Sequence, residues 1–118
     1  MTPMFKTPAP HLSAVVEALV KIRDSRPGSI EALVNDSLLW DGTLMRVQVA
    51  GEHLAKIRDQ FPEFFREHHD DTWNKLIAMR NIISHAYSEV NPSIMWDVVE
   101  YRLDGVRDRI EVILGELR

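Results

Sequence analysis

Residues 38–61, LLWDGTLMRVQVAGEHLAKIRDQF, form a proline-free stretch whose pattern decides the fold class. Its apolar side chains recur every three or four residues, the spacing of one helix face, at Trp40, Leu44, Val47, Ala50, Leu54, Ile57 and Phe61. Gly42 and Gly51 interrupt this helix, and each costs about 1 kcal/mol relative to alanine. Because a glycine permits close helix approach, we expect the long helix to be buried along one side.

Prolines and capping residues mark the other helices, because a proline removes a backbone donor and clashes with the preceding turn. Capping residues stand at Ser29, at 35–37, at Asp70 or Asp71, and at Asn91. The predicted helices cover about residues 11–24, 30–34, 38–60, 62–67, 72–88 and 92–117.

The whole chain of 118 residues contains no segment that alternates apolar and polar side chains as a half-buried strand does. The sequence therefore predicts an all-α bundle of four main helices plus short helices. Its length suits a single domain over residues 1–118. We expect residues 1–10, which include three prolines, to be an extended N-terminal segment.

The composition limits the classes of partner. The balance of 14 Lys and Arg against 18 Asp and Glu gives a formal charge of −4, whereas proteins that coat nucleic acid are normally basic. Any nucleic-acid contact should therefore be local. The absence of cysteine excludes disulfides, thiolate catalysis and cysteine metal sites. No apolar run approaches the roughly 18 residues that span a bilayer, and no secretory signal is present, so we expect a soluble, cytoplasmic protein without a membrane partner.

The helix predicted over residues 72–88 has two different halves. On a wheel of about 100° per residue, one half holds the polar groups of Arg80, Asn81, Ser84, His85 and Tyr87. The opposite arc is predicted to be core and holds Leu76, Ala78, Met79, Ile82, Ile83 and Ala86, with Ile77 as an apolar exception on the polar side. No acidic residue lies between Thr72 and Ser88, and the polar half is suited to an anion.

The segment MRNIISHAY at residues 79–87 resembles the Arg-x4-His-x-Tyr signature of HepT-like ribonuclease toxins in the HEPN superfamily. The resemblance continues at Trp73, Ile77, Glu89-Val90-Asn91, Ile94-Met95-Trp96 and Gly51-Glu52, and it covers about residues 12–117. A proline-rich start and His53 after Gly-Glu depart from the family pattern. A bare Arg-x4-His arises by chance in many proteins, whereas the full motif in an all-α chain of this size is far more specific.

The resemblance implies a HEPN-like fold and a homodimeric toxin that cleaves RNA without a metal or other cofactor, at a cleft shared by two motif helices. Arg80 and His85 lie about 7.5 Å apart along a helix axis, which is too far for one compact site from a single helix. A two-fold interface presents each group twice. Two arginines and two histidines would then supply the local positive charge that the chain lacks overall.

The residue types suit cleavage by the 2′-hydroxyl of the RNA itself. Histidine exchanges protons near neutral pH, so His85 is assigned as general acid or base. Arg80 stays charged and can bond two phosphate oxygens, so it is assigned as transition-state stabiliser. Asn81 and Ser84 are assigned as supporting groups. The expected products are a 2′,3′-cyclic phosphate and a 5′-hydroxyl.

Tyr87 is assigned a regulatory role by the resemblance. In the family, the motif tyrosine is the target of a partner nucleotidyltransferase antitoxin of the MntA type, which attaches AMP to the hydroxyl. A continuous helix would put Tyr87 about 60° from Ser84 and close in azimuth to Arg80. An anionic adduct at that position would take the place of the RNA phosphates.

Other interpretations of the sequence remain open. One is a non-cleaving dimeric HEPN module that binds a nucleotidyltransferase partner or a nucleotide; another is a plain structural bundle, which leaves the polar helix face unexplained. The run His68-His69-Asp70-Asp71 suggests a metal site, but neighbouring loop residues rarely converge on one ion. We therefore expect no metal there, and we expect His53 at a surface or interface.

Overall fold

The computed structural model describes residues 6–117, in which the regular secondary structure is helical and no strand is formed. This confirms the predicted all-α class. None of the helices within these residues is long and apolar enough to cross a bilayer. The helices are α1 (Ala9–Ser25), α2 (Ile30–Asn35), α3 (Ser37–Gln60), α4 (Pro62–His68), α5 (Asp71–His85), α6 (Pro92–Tyr101) and α7 (Leu103–Leu117), with a 3-10 turn at Tyr87–Glu89 between α5 and α6.

Helix α3 is the element around which the others assemble. It packs against both α1 and α5, and α1 packs also against α7. The long helices therefore follow the spatial order α5, α3, α1, α7, and the short α2 and α4 contact α3 as well. The core between them contains the buried side chains of Leu19, Ile22, Leu44, Leu54, Trp73, Leu76, Ile110 and Ile113.

Capping side chains begin the helices where the sequence predicts them. Ser29 Oγ accepts a hydrogen bond from the Ala32 N–H at 3.1 Å, and Asn91 Oδ1 accepts two backbone N–H groups at the start of α6. Of the capping residues that the sequence leaves open, Asp36 caps α3 among residues 35–37, and Asp70 caps α5 in preference to Asp71. Each cap satisfies an N–H group that has no partner inside its own helix.

The N-terminal boundary of α1 differs from the prediction. The helix begins at Ala9, with Pro10 in its first turn. A proline is tolerated there because a first-turn N–H has no partner within the helix. The predicted extended segment is therefore wrong for residues 9 and 10, and residues 1–5 of that prediction lie outside the described part of the chain.

The C-terminal helix, predicted as continuous over residues 92–117, is divided at Arg102 into α6 and α7. Next to this break, Arg26 Nη1 donates to the carbonyl oxygens of Val99 and Glu100 at 3.3 and 3.4 Å. A side chain that enters the hydrogen-bond ladder of a helix interrupts it. Because Arg26 precedes Val99 by 73 residues, helical periodicity cannot report the interruption.

The buried face of α5 is rotated relative to the predicted one. Ile77 is only 5% exposed, whereas Ile82 is 44% exposed and Ala78 is exposed. The predicted places of these three residues are therefore wrong, although Leu76, Met79 and Ile83 are buried as expected. The reason is that α3 packs on the flank of α5 that carries Arg80, and Ile77 lies only about 60° round the helix from Arg80.

Helices α3 and α5 touch at Gly51. A Cβ atom at this position would lie 2.5 Å from the carbonyl oxygen of Leu76 and 2.6 Å from Cβ of Arg80. At Gly42, in the same helix, no neighbouring atom of the described residues lies within 4 Å of the corresponding point. The expectation that glycine permits close helix approach is therefore confirmed at Gly51 and wrong at Gly42.

His11 and His53 connect α1 to α3 through a pair of imidazoles. Their Nδ1 atoms are 3.0 Å apart, and His11 is 3% exposed. Burial lowers the pKa of His11, a hydrogen-bonding interaction with the Gln60 side chain opposes this change, and the charge of Lys56 adds to it. Burial is the main cause of the lowered pKa of His53, and His11 and Lys56 lower it further. The charge of Glu52 opposes this change. His53 is thus a half-buried residue that packs against α1.

We predict that Gly51→Ala lowers the free energy of unfolding by about 1–3 kcal/mol, because the added methyl group collides with the backbone of α5. Gly42→Ala is the matched control, since it adds the same methyl group to the same helix in open space. It should raise the free energy of unfolding by up to about 1 kcal/mol. Urea unfolding followed by circular dichroism measures both, and equal effects of the two substitutions would contradict the close approach.

We also predict a loss of stability in mild acid from the histidine pair. Because the pKa values of His11 and His53 are lowered in the folded protein, the unfolded chain takes up protons first as the pH falls. Above about pH 6.5, the ordinary pKa of histidine, the free energy of unfolding should be at its maximum. As the pH drops below this value, the free energy of unfolding should decrease until both histidines of the folded protein are protonated.

Urea unfolding between pH 8 and pH 5 measures this dependence. His53→Gln should reduce the loss on acidification, because only one ring of the pair then titrates. His85→Gln replaces an exposed ring and should leave the loss unchanged. A His53→Gln variant with the same pH dependence as the unsubstituted chain would refute the assignment.

Candidate functional site

Three polar contacts follow the groove between α3 and α5. We call them the polar row, and its pairs are Arg80 with Glu52, Ser84 with Gln48, and Tyr87 with Asp41. The residue numbers rise along α5 as they fall along α3, so the two helices are antiparallel. The row therefore brings the side chains of three motif residues to one groove.

Arg80 is held by a carboxylate at the edge of the core. Its Nη1 lies 3.3 Å from Glu52 Oε2, and the side chains of Arg80 and Glu52 are 23% and 44% exposed. The Arg80 Nε atom is buried and has no hydrogen-bond partner among residues 6–117. A guanidinium carries five N–H donors, so one ion pair fixes its orientation and leaves donors for an anion at the exposed side.

Asn81 and His85 lie on the neighbouring, outer flank of α5. Both residues are exposed, and neither side chain forms a hydrogen bond, ion pair or ring contact with another residue within 6–117. They lie about 100° and 140° round the helix from Arg80. The imidazole of His85 is therefore open to a bound molecule or to another subunit.

Tyr87 is placed differently from the prediction. Helix α5 ends at His85, so its predicted extension to Ser88 is wrong, and Ala86 leaves the helical conformation with φ −149° and ψ 55°. The Tyr87 side chain is 46% exposed, and its hydroxyl donates a hydrogen bond to the carboxylate of Asp41. This hydrogen bond, together with desolvation and the negative charge of Asp41, raises the pKa of Tyr87.

The partners on α3 were not identifiable from the sequence as a set. In the sequence, Glu52 stands out only through the Gly-Glu resemblance, and no motif marks Asp41 or Gln48. The single available signal is their spacing: steps of seven and four residues place all three on one helix face. Gln48 Nε2 donates to Ser84 Oγ at 3.1 Å, so Ser84, assigned as a supporting group, is itself supported by α3.

A single chain does not concentrate positive charge at the polar row. The charge of Arg80 is matched by Glu52, and Asp41 adds a further carboxylate at the other end. The local excess of cations expected from the sequence is therefore not a property of one chain.

Comparisons with known proteins identify the family. The model of the "Ribonuclease HepT-like" family matches residues 15–113. The chain is similar to "Putative RNase TTE0752" of Caldanaerobacter subterraneus subsp. tengcongensis, with 26% identity over 111 residues, which are 92% of this chain and 96% of that protein. It is also similar to "Putative RNase MJ1380" of Methanocaldococcus jannaschii, with 20% identity over 80 residues, or 68% of this chain and 71% of that protein.

No solved structure matches the chain significantly. The family model nevertheless covers most of the sequence, and the matched region contains α3, α5 and every residue of the polar row. The chain therefore belongs to the HepT-like ribonuclease family.

Proposed function

We propose that this protein is the toxin of a toxin–antitoxin pair, a homodimeric endoribonuclease that needs no metal ion and uses Arg80 and His85. Family membership supports ribonuclease activity. The observation that carries the residue assignment is the contrast within α5: Arg80 is anchored by Glu52 with donors to spare, whereas His85 on the next flank is exposed and unengaged. An oriented cation and a free imidazole, brought together across a two-fold interface, can supply the charge stabilisation and proton transfer that cleavage of a phosphodiester uses.

The proposed reaction uses the nucleophile that RNA supplies. The imidazole of His85 takes the proton of the 2′-hydroxyl, whose oxygen attacks the adjacent phosphorus while the bond from phosphorus to the 5′-oxygen breaks. The leaving 5′-oxygen takes a proton from water while His85 returns its proton to the solvent, and the products are a 2′,3′-cyclic phosphate and a 5′-hydroxyl. Arg80 bonds the phosphate oxygens as negative charge develops on them. Asn81 and Ser84 are the supporting groups of this site.

Exposed apolar side chains support the dimer. Leu38 and Met45 on α3 are 84% and 58% exposed, and Ile82 on α5 is 44% exposed. Leu38 and Met45 lie near Asp41 on the face of α3 that carries the polar row, whereas Ile82 lies on the side of α5 opposite Arg80. Full burial of a fully exposed side chain of this kind stabilises association by about 1.5–3 kcal/mol, and burial of a partly exposed one by less. A second copy seated over Leu38 and Met45 would bring a second Arg80 and His85 to the same gap.

The proposed regulation is attachment of AMP to Tyr87 by an MntA-like nucleotidyltransferase antitoxin. Partial exposure of Tyr87 supports access of such an enzyme to the hydroxyl. The adduct would carry a negative charge into the groove of Arg80, where it would exclude the phosphates of RNA.

A non-cleaving dimeric module that binds a nucleotidyltransferase or a nucleotide is the second candidate. The Arg80–Glu52 ion pair favours it, because a carboxylate already occupies one side of the guanidinium. Cleavage of RNA by the purified, unmodified chain in the presence of a chelator separates the two functions.

We predict that Arg80→Ala and His85→Ala each lower the rate of RNA cleavage in EDTA by at least about 100-fold, the usual lower bound for loss of an acid–base group. Both variants should keep the helical circular dichroism spectrum. Arg58→Ala is the control, since it removes an exposed arginine near the end of α3, away from the polar row. It should keep the unsubstituted rate.

Retention of cleavage by a folded His85→Ala or Arg80→Ala variant would contradict the residue assignment. An unsubstituted chain that cuts no RNA would favour the non-cleaving module. Growth arrest on expression without the partner should follow the same pattern across the variants.

We predict further that co-expression with the cognate nucleotidyltransferase adds AMP increments to the intact mass of the chain. Tyr87→Phe should abolish them, because the acceptor oxygen is lost. Tyr101→Phe removes a hydroxyl that is more exposed, on a residue that is 74% exposed, and it should leave the increments in place. Increments that persist in Tyr87→Phe would show that another residue is the acceptor.

A further inference from the structure

The ring of His85 forms no hydrogen bond, ion pair or ring contact with another residue within 6–117, and the residues on either side of it carry contacts to α3. On one side, Ser84 Oγ accepts a hydrogen bond from Gln48 Nε2. On the other side, Tyr87 donates to Asp41. Both partners belong to α3, so the last residue of α5 lies between two attachments to the same neighbouring helix.

We propose that the hydrogen bond from Tyr87 to Asp41 is a latch that positions His85 for RNA cleavage, and that a group added to the Tyr87 oxygen opens the latch. The proposal rests on the ribonuclease function proposed above. Asp41 is in this account a positioning residue that acts through Tyr87.

The local structure explains why His85 needs such an attachment. The carbonyl groups of a final helical turn have no partners inside the helix, and helix ends fray. After His85, the Ala86 N–H bonds the carbonyl of Ile82 at 2.7 Å, and the Glu89 N–H bonds the carbonyl of Ala86 at 2.8 Å. These backbone bonds join the 3-10 turn to α5 alone. The Tyr87 side chain ties the turn to α3, because Asp41 lies 46 residues earlier in the chain.

The chemistry of the latch makes it sensitive to modification. A phenol with a raised pKa keeps its hydrogen at neutral pH and donates it to Asp41. An oxygen that carries a phosphodiester has no hydrogen to donate, and its negative charge would stand next to the Asp41 carboxylate, which repels it. Nucleotidylation would therefore displace His85 in addition to covering the site.

The kinetic test is a double-substitution cycle on RNA cleavage by the full chain in EDTA. Tyr87→Phe and Asp41→Ala should each lower kcat about tenfold, since a misplacement of about 1 Å can remove up to about 100-fold, and KM should change by less than about twofold. The double variant should also lose about tenfold, because both substitutions break one hydrogen bond and their effects cannot multiply.

Two controls distinguish a latch from general destabilisation. Asp41→Asn keeps an acceptor oxygen at the same place and should restore most of the kcat that Asp41→Ala loses. Tyr101→Phe removes the hydroxyl of the other tyrosine, on α6, and should leave kcat unchanged. Thermal unfolding of all variants reports whether any loss reflects the fold.

An NMR measurement reads the position of His85 without catalysis. The ring resonances of His85 should shift in Tyr87→Phe and Asp41→Ala, whereas those of the His11–His53 pair should not. A displacement confined to the end of α5 gives this pattern, whereas a general loss of structure would shift the ring resonances of all three histidines.

Replacement of Tyr87 by O-methyltyrosine tests the claim that a group added to the Tyr87 oxygen opens the latch. The methyl group is small and uncharged, but it removes the donated hydrogen as a phosphodiester would. We expect the tenfold loss of kcat seen with Tyr87→Phe, whereas an unchanged kcat would overturn the claim that an added group opens the latch.

The latch is overturned if both single variants retain full kcat, if their losses multiply in the double variant, or if the His85 resonances stay unshifted. An unsubstituted chain that cuts no RNA would instead overturn the proposed function. The NMR result then decides the latch alone: shifted His85 resonances support it, and unshifted ones refute it.

Discussion

The backbone contact between Gly51 and α5 is the constraint on which the site depends. Only a residue without a side chain fits against the Leu76 carbonyl and the Arg80 Cβ atom, and this contact sets the distance between α3 and α5. The polar contacts of the row are partly exposed, and exposed ion pairs contribute at most about 1 kcal/mol. Burial of one large apolar side chain such as Trp73 contributes about 1.5–3 kcal/mol. Apolar packing therefore fixes the positions of α3 and α5, and the polar contacts between them orient the side chains of the polar row.

The residues of the motif divide into two groups with different physical situations. Arg80, Ser84 and Tyr87 have partners on α3, whereas Asn81 and His85 are exposed and form no hydrogen bond, ion pair or ring contact with another residue within 6–117. The first group gives the site its rigidity, and the second gives it open hydrogen-bonding capacity. Within the chain, Glu52 balances the charge of Arg80.

Local patterns predicted most of the fold, and contacts between distant residues explain the rest. Helical spacing and the caps at Ser29 and Asn91 predicted the helices, because both signals lie within a few residues of one another. The break at Arg102 depends on Arg26, and the end of α5 is accompanied by the contact of Tyr87 with Asp41; neither partner is close in sequence. The wheel of α5 identified the polar residues of the motif but misplaced Ile77 and Ile82. Hydrophobicity alone does not tell which flank of a helix a neighbour will cover.

The most direct test of the proposed mechanism is whether RNA cleavage requires the 2′-hydroxyl at the cleavage position. The purified chain is incubated in EDTA with an RNA oligonucleotide and with the same oligonucleotide carrying one 2′-deoxy sugar at the cleavage position. Attack by the 2′-oxygen, with Arg80 and His85 as the reacting groups of the protein, predicts a 2′,3′-cyclic phosphate from the RNA and no cut at the substituted sugar. Cleavage at the 2′-deoxy sugar, or products that end in a 5′-phosphate, would contradict it.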